Sequence, residues 1–197
     1  GWRCIDERLA NVYGGQRPRH YAEPVHFIAG GPDPLDGTSY YDHAGASGHI
    51  HVVSYGLSGL YYDEGAVGGA YSGLGFELTF RVYPVPGESG DPTWVTGMMN
   101  NLARYLHRSG RWFEPNEFIP GNAPIRQGLD TDIIGLAVTE DPELGTIATP
   151  HGEVRFLQLV GLTTSEVQQL QADPTVGAVE DLLNAKRKVD PLLVTRL

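Results

Sequence analysis

Residues 72–82 read Ser-Gly-Leu-Gly-Phe-Glu-Leu-Thr-Phe-Arg-Val. Leu74, Phe76, Leu78, Phe80 and Val82 alternate strictly with Gly73, Gly75, Glu77, Thr79 and Arg81. A period of two held over this length predicts a β-strand with one face in a core, so the chain cannot be a helical bundle. A second strand-like run, His-Ile-His-Val-Val-Ser-Tyr, occupies 49–55. Downstream, residues 91–106 carry Val95, Met98, Met99, Leu102 and Leu106 on one helical face, with Asp91 or Thr93 as the cap and Gly110 as the stop. Strands and helices follow one another without strict alternation. We therefore expect an α+β fold, a mixed and mainly antiparallel sheet flanked by helices, in one domain spanning 1–197.

The rest of the chain supports that reading. Residues 2–13 predict a helix with Ile5, Leu9 and Val12 on one face, stopped by Gly14 and Gly15. Residues 16–21 read as a polar connector, 23–29 as extended, 30–37 as consecutive turns and 40–48 as a loop. The 61–71 connector is rich in glycine and tyrosine. Residues 133–139 and 153–162 predict further strands, and 139–142 a sharp turn. Thr163 precedes Glu166 by three positions, the spacing of a capping box, and opens a helix with Val167 and Leu170 inward. Asp173-Pro174 ends that helix, 176–188 predicts another, and 191–195 a last strand.

Composition narrows function. The 26 glycines fit a fold with many turns and strand ends. A net charge of −10 opposes binding to nucleic acid or to an anionic membrane and suits a basic protein partner. Cys4 is the single cysteine, which excludes an internal disulfide and predicts a cytoplasmic protein, with Cys4 a small helix residue rather than a nucleophile. No run approaches the roughly 18 apolar residues of a membrane span. The sequence opens on Gly1 without a methionine, which leaves room for residues upstream.

Several residues could carry chemistry. His49 and His51 point to one face of a strand and could share a metal ion with His43 and Asp42 nearby; a partly exposed pair with a supporting role is the alternative. Ser54 or Ser72 with Asp33 or Asp36 and a histidine could form a hydrolase triad, but Ser72-Gly-Leu-Gly is not the Gly-x-Ser-x-Gly elbow. The glycines before the second strand lack the Gly-Lys-Ser/Thr ending of a phosphate loop, and a strand, not a helix, follows them. Asp63-Glu64 and Glu140-Asp141 lack calcium-loop spacing and read as solvated pairs. Tyr40, Tyr41, Tyr55, Tyr61, Tyr62 and Tyr71 cluster around the two strands and their connector. Tyrosine joins apolar area to a hydrogen-bonding tip, so a binding edge and an ordinary set of core residues are both open.

Several motifs in one order carry a family resemblance. They are Gly-Gly-Pro-Asp-Pro-Leu-Asp at 30–36, His-Ile-His-Val-Val-Ser-Tyr-Gly-Leu-Ser-Gly-Leu-Tyr at 49–61, Ser-Gly-Leu-Gly-Phe-Glu-Leu-Thr-Phe-Arg at 72–81, Pro-Thr-Trp at 92–94, Leu-Ala-Arg-Tyr at 102–105, Thr-Glu-Asp-Pro at 139–142 and Phe-Leu-Gln-Leu-Val-Gly at 156–161. In these the chain resembles the amino-terminal domain of the suppressor of fused family, most closely in its bacterial single-domain form. The resemblance implies a mixed sheet flanked by helices, no cofactor and no catalysis. It also implies a protein-binding role: animal members sequester transcription factors, the bound peptide adding a strand, and some bacterial relatives are immunity proteins that neutralise toxins. Tyr61 matches a tyrosine of the animal binding cleft.

The expected function is thus a non-catalytic module that sequesters or neutralises a protein partner, with a metal-binding domain or metal-dependent enzyme at His49 and His51 as the alternative. The partner is expected at Tyr61, Tyr62, Asp63, Glu64 and Tyr71, where glycine-rich backbone leaves groups open to strand pairing. A merely mobile connector is the competing view. Asp33 and Asp36 are expected to hold the 30–37 loop by bonding backbone amides.

Overall fold

A computed structural model describes residues 1–44 and 48–197. Among them, eight strands form one sheet in the order β1-β2-β3-β4-β8-β6-β5, with β7 paired to β8. The strands are β1 (Arg19–Ala22), β2 (Gly37–His43), β3 (His49–Tyr55), β4 (Tyr71–Val82), β5 (Phe118–Ile119), β6 (Ile133–Glu140), β7 (Thr146–Thr149) and β8 (Gly152–Thr163). Helices α1 (Trp2–Tyr13), α2 (Trp94–Ser109), α3 (Thr164–Ala172) and α4 (Val176–Val189) cover it. Every strand pair is antiparallel except β4 with β8. The α+β expectation, a mixed and mainly antiparallel sheet flanked by helices, is the architecture observed.

The alternation in β4 sorts residues to two faces. Val52, Phe80, Leu159 and Val138 lie side by side in register and bury against α2 through Val95, Met99, Ala103 and Leu106. One residue on, Val53, Thr79, Gln158 and Thr139 line the opposite face. That face holds two separate apolar clusters. Ile5 and Leu9 of α1 pack on Tyr41, Val53, Tyr55 and Phe156. Val167, Leu170, Val179 and Leu183 of α3 and α4 pack on Ala137, Val160 and Leu162. With helices on both sides, Glu77, Thr79 and Arg81 are all fully buried.

β4 and β8 pair at Tyr71↔Glu153, lose register, and pair again from Phe76↔Arg155. Gly73 and Gly75 lie between, at φ +59° and +80°, a region glycine enters without the clash of a Cβ. Four residues of β4 lie between the two pairs against one of β8, so β4 bulges there. Leu74 N–H instead donates to Leu57 O at 2.8 Å, and Gly59 N–H to Ser72 Oγ at 3.1 Å.

Local expectations fare unevenly. The capping box forms as read: Thr163 Oγ1 accepts from Glu166 N–H at 3.3 Å while Thr163 N–H donates to Glu166 Oε2 at 2.8 Å. The connector at 16–21 holds most of β1, and 23–29 ends in a 3-10 turn, Phe27–Ala29, rather than an extended run. Of the expected loop at 40–48, Tyr40, Tyr41, Asp42 and His43 belong to β2, and residues 45–47 lie outside the described residues. The final strand reduces to one parallel bridge, Val82↔Thr195.

Candidate protein-binding surface

A buried carboxylate anchors the turn from which the tyrosine connector departs. Glu77 accepts from Ser54 Oγ at 2.6 Å, Ser58 Oγ at 2.6 Å, Ser58 N–H at 2.9 Å and Gly56 N–H at 3.0 Å. Burial pushes its carboxyl above the ordinary range, and the Ser54, Ser58 and Gly56 donors oppose that shift. Ser54 is therefore spent on Glu77 and buried, and Ser72 is buried as well, so neither is the exposed nucleophile of a triad. At Gly56 (φ +129°) a Cβ would meet Asp36 N at 2.6 Å, so the 30–36 loop lies directly against this turn.

The aromatic cluster divides. Tyr40, Tyr41 and Tyr55 are buried, whereas Tyr61, Tyr62 and Tyr71 are 53, 74 and 57% exposed. Each exposed ring is tied to the body. Tyr61 stands edge-on to His26, centroids 6.2 Å apart, and local burial together with the nearby Asp36 charge raises its hydroxyl pKa. Tyr62 lies 5.7 Å from the His151 ring, and His151 Nε2 accepts from Asp63 N–H at 3.0 Å. Asp63 also caps a 3-10 turn, Glu64–Ala66, accepting from Gly65 N–H at 2.9 Å. The Tyr71 ring rests on Gly75, where an added Cβ would meet it at 3.2 Å. Asp63 and Glu64 are exposed, and among the described residues neither has an ion-pair partner. His26 and His151 escape a reading of the sequence because they come from segments distant from the connector; their isolated positions carry no periodic signal.

The aspartates of the 30–37 loop have side-chain partners, not the backbone amides expected. Asp33 pairs with Arg104 of α2. Asp36 Oδ1 lies 2.7 Å from His26 Nδ1. Turn residues commonly bond their own amides, but here the loop is pressed between α2 and the connector, and charged or ring donors reach it first.

His49 and His51 do share a face, but a buried one. Tyr13 O–H lies 2.6 Å from His51 Nδ1, and Asp141 Oδ2 is 3.1 Å from its Nε2. Arg81 reaches Asp141 Oδ1 at 3.0 Å and Glu143 Oε2 at 2.8 Å, and its Nη1 is 3.3 Å from His49 Nε2. His49 stacks on His43, centroids 4.4 Å apart. Burial and the Arg81 charge lower both histidines, His49 to about 3. Burial opposes charge on Asp141, yet His51, Arg81 and the Leu144 amide hold its carboxyl well below the usual range. His49 Nε2 thus faces the Arg81 cation and His51 faces Tyr13 and Asp141, and among the described residues no group of three or more His, Cys, Asp or Glu side chains is arranged to hold a metal ion. Asp141 is thus the anchor of a buried ion network rather than half of a solvated pair; Glu140 is exposed as expected. Cys4 lies partly buried in α1. No helix among the described residues is long and apolar enough to cross a membrane.

Comparison with known proteins places the fold and the family. The family model for Suppressor of fused protein (SUFU) matches residues 31–197. The human and mouse Suppressor of fused homologs are each 37% identical over 205 aligned positions, covering 99% of this chain and 42% of the relative, so the chain spans less than half their length. A chain of the Sufu-Fu complex crystal structure superposes with a TM-score of 0.86 at 30% identity, covering 100% of this chain and 89% of that one. Drosophila Suppressor of Fused gives 0.85 at 29% identity, with 100% of this chain and 49% of that one covered. A SUFU homolog from Neisseria gonorrhoeae shares the fold alone, with a TM-score of 0.64 at 14% identity over 95% of this chain and 89% of that one. The chain belongs to the suppressor of fused family.

Proposed function

We propose that this chain is a non-catalytic protein-binding module whose docking surface is the connector bearing Tyr61, Tyr62, Asp63, Glu64 and Tyr71. The observation that carries this reading is the exposure of three tyrosines that are nonetheless each fixed by a ring, carboxylate or glycine neighbour. Aromatic side chains already ordered lose little entropy when a partner covers them, which is how hot-spot residues contribute. A relative of the same fold has been crystallised as a Sufu-Fu complex, which supports a protein as the ligand. The net charge of −10 favours a basic partner met by electrostatic steering. A module that sequesters such a partner, or neutralises it as an immunity protein neutralises a toxin, needs no cofactor and acts in the cytoplasm.

Capture from the source cell at low salt, with mass spectrometry of what is retained, tests the reading. Tyr61→Ala with Asp63→Ala should weaken the recovered complex by about 2–4 kcal/mol while the chain still folds, with a smaller loss of stability, about 1 kcal/mol, from the Asp63 cap. Affinity unchanged by this pair places the interface elsewhere.

A further inference from the structure

An opening beside Tyr71 lies between the β4–β8 pair and residues 112–114. Its volume is about 300 Å³, at the lower end of pockets that hold a small ligand and suited to one large side chain. Tyr71, Leu74 and Phe76 form one wall, Trp112 and Phe113 another, and Glu153 with Arg155 stand at the rim. Trp112 is 49% exposed, an apolar area left uncovered. The opening lies over the paired residues Phe76 and Arg155, beside the irregular stretch of β4 that holds Gly73 and Gly75, and the Tyr71 ring is held over Gly75.

Charge indicates what would fill it. Arg155 is engaged with Glu114 at 3.0 Å. Glu153 is exposed and, among the described residues, has no ion-pair partner, like Asp63 and Glu64 on the adjoining connector. An apolar opening whose rim leaves a carboxylate unpaired, on an acidic chain, is complementary to an apolar side chain next to a cation.

We infer that the cleft between Tyr71 and Trp112 receives one bulky apolar side chain of an extended partner segment, with an adjacent lysine or arginine meeting Glu153. This rests on the protein-binding reading above and adds the chemistry of the segment recognised.

The probe is a phage-displayed library of random twelve-residue peptides, panned on the intact chain. Clones are then compared on Thr146→Trp, which fills the cleft from β7, on Trp112→Ala, which removes a wall, and on Glu153→Lys. Circular dichroism and unfolding midpoints verify that each variant folds. The expected result is enrichment of peptides with a large apolar residue within two positions of Lys or Arg, binding at least tenfold weaker to Thr146→Trp or Trp112→Ala and at least threefold weaker to Glu153→Lys. Peptides that bind folded cleft variants as well as the parent, peptides with no basic preference, or no enrichment at all overturn the inference. Should a natural partner be lost with Tyr61→Ala yet bind Thr146→Trp and Glu153→Lys normally, the protein-binding reading stands and the cleft assignment falls.

Discussion

Arg81 is the residue on which the second face of the sheet turns. It is fully buried with Asp141, while Glu143 stands at the edge of the network. Removing one partner of such a set leaves an uncompensated charge in a medium that solvates it poorly, whereas removing both partners can be mild. Arg81→Leu should therefore lower stability by about 3–5 kcal/mol, read as a fall in the urea midpoint. Arg81→Leu combined with Asp141→Leu should recover part of that loss, and a double variant no better than the sum of the singles would show that the ion pair is not the source. None of this was legible from residue types. A strand with Glu77, Thr79 and Arg81 on alternate positions reads as half solvated. Only the helices packed on that side, α1 at one end and α3 with α4 at the other, make it interior.

Among elements, β4 was the clearest to read and β2 the least. The alternation of β4 survives because its apolar parity meets α2 along its length. β2 was hidden because its partners lie on both sides: Tyr40 packs under α2 and Tyr41 under α1, so the strand is buried on two faces and its sequence loses the period-two signal. The six tyrosines from Tyr40 to Tyr71 were legible as a group, but that the three in β2 and β3 are buried depends on strand pairing, which the sequence does not state. A glycine of β4 set against one of the connector gives a sharper test of the element. Gly73 and Gly68 both have positive φ, +59° and +80°. A Cβ at Gly73 would meet Gly59 N and Leu57 O at 2.7 Å, whereas at Gly68 nothing lies within 4 Å. Gly68→Ala should cost about 1–2 kcal/mol from backbone strain alone. Gly73→Ala should cost more, because backbone must shift. Equal unfolding midpoints for the two variants would mean that the close approach of β4 to the 57–59 segment does not matter to stability.

For the whole molecule, the buried histidines link stability to pH. His49 and His51 have folded-state values below their ordinary 6.5, the former at about 3. Below about 6.5 the unfolded chain takes up protons that the folded chain refuses, so stability is full above that pH and falls as pH drops toward 3. The groups facing them are Arg81, His43, Tyr13, Asp141, Glu143 and Asp190, of which Arg81 most disfavours a second cation. Glu77 acts in the opposite sense, since its raised carboxyl binds a proton more readily when folded and its contribution weakens as pH rises. Its opposing contribution is lost from the ordinary value of 4.5 upward, so the histidine share is read from the difference between the parent and a histidine variant. The urea midpoint should be lower at pH 5.5 than at 7.5, and the difference should shrink in His49→Gln. An equal change of midpoint in the parent and in His49→Gln across this range would exclude the linkage.

The one parallel pair of strands among the described residues has a kinetic meaning. β4 and β8 lie at the centre, yet Phe76 pairs with Arg155 and Phe80 with Leu159, and α2, β5, β6 and β7 are all made between them. The meander of β1 to β4 can zip from short hairpin-like closures, but the sheet's two halves can join only after this long excursion is closed, and closure of long loops slows folding. During synthesis the first half must therefore wait with its β4 edge open until most of the chain has emerged. That edge, rather than any surface of the finished molecule, is where misassembly with another nascent chain would begin.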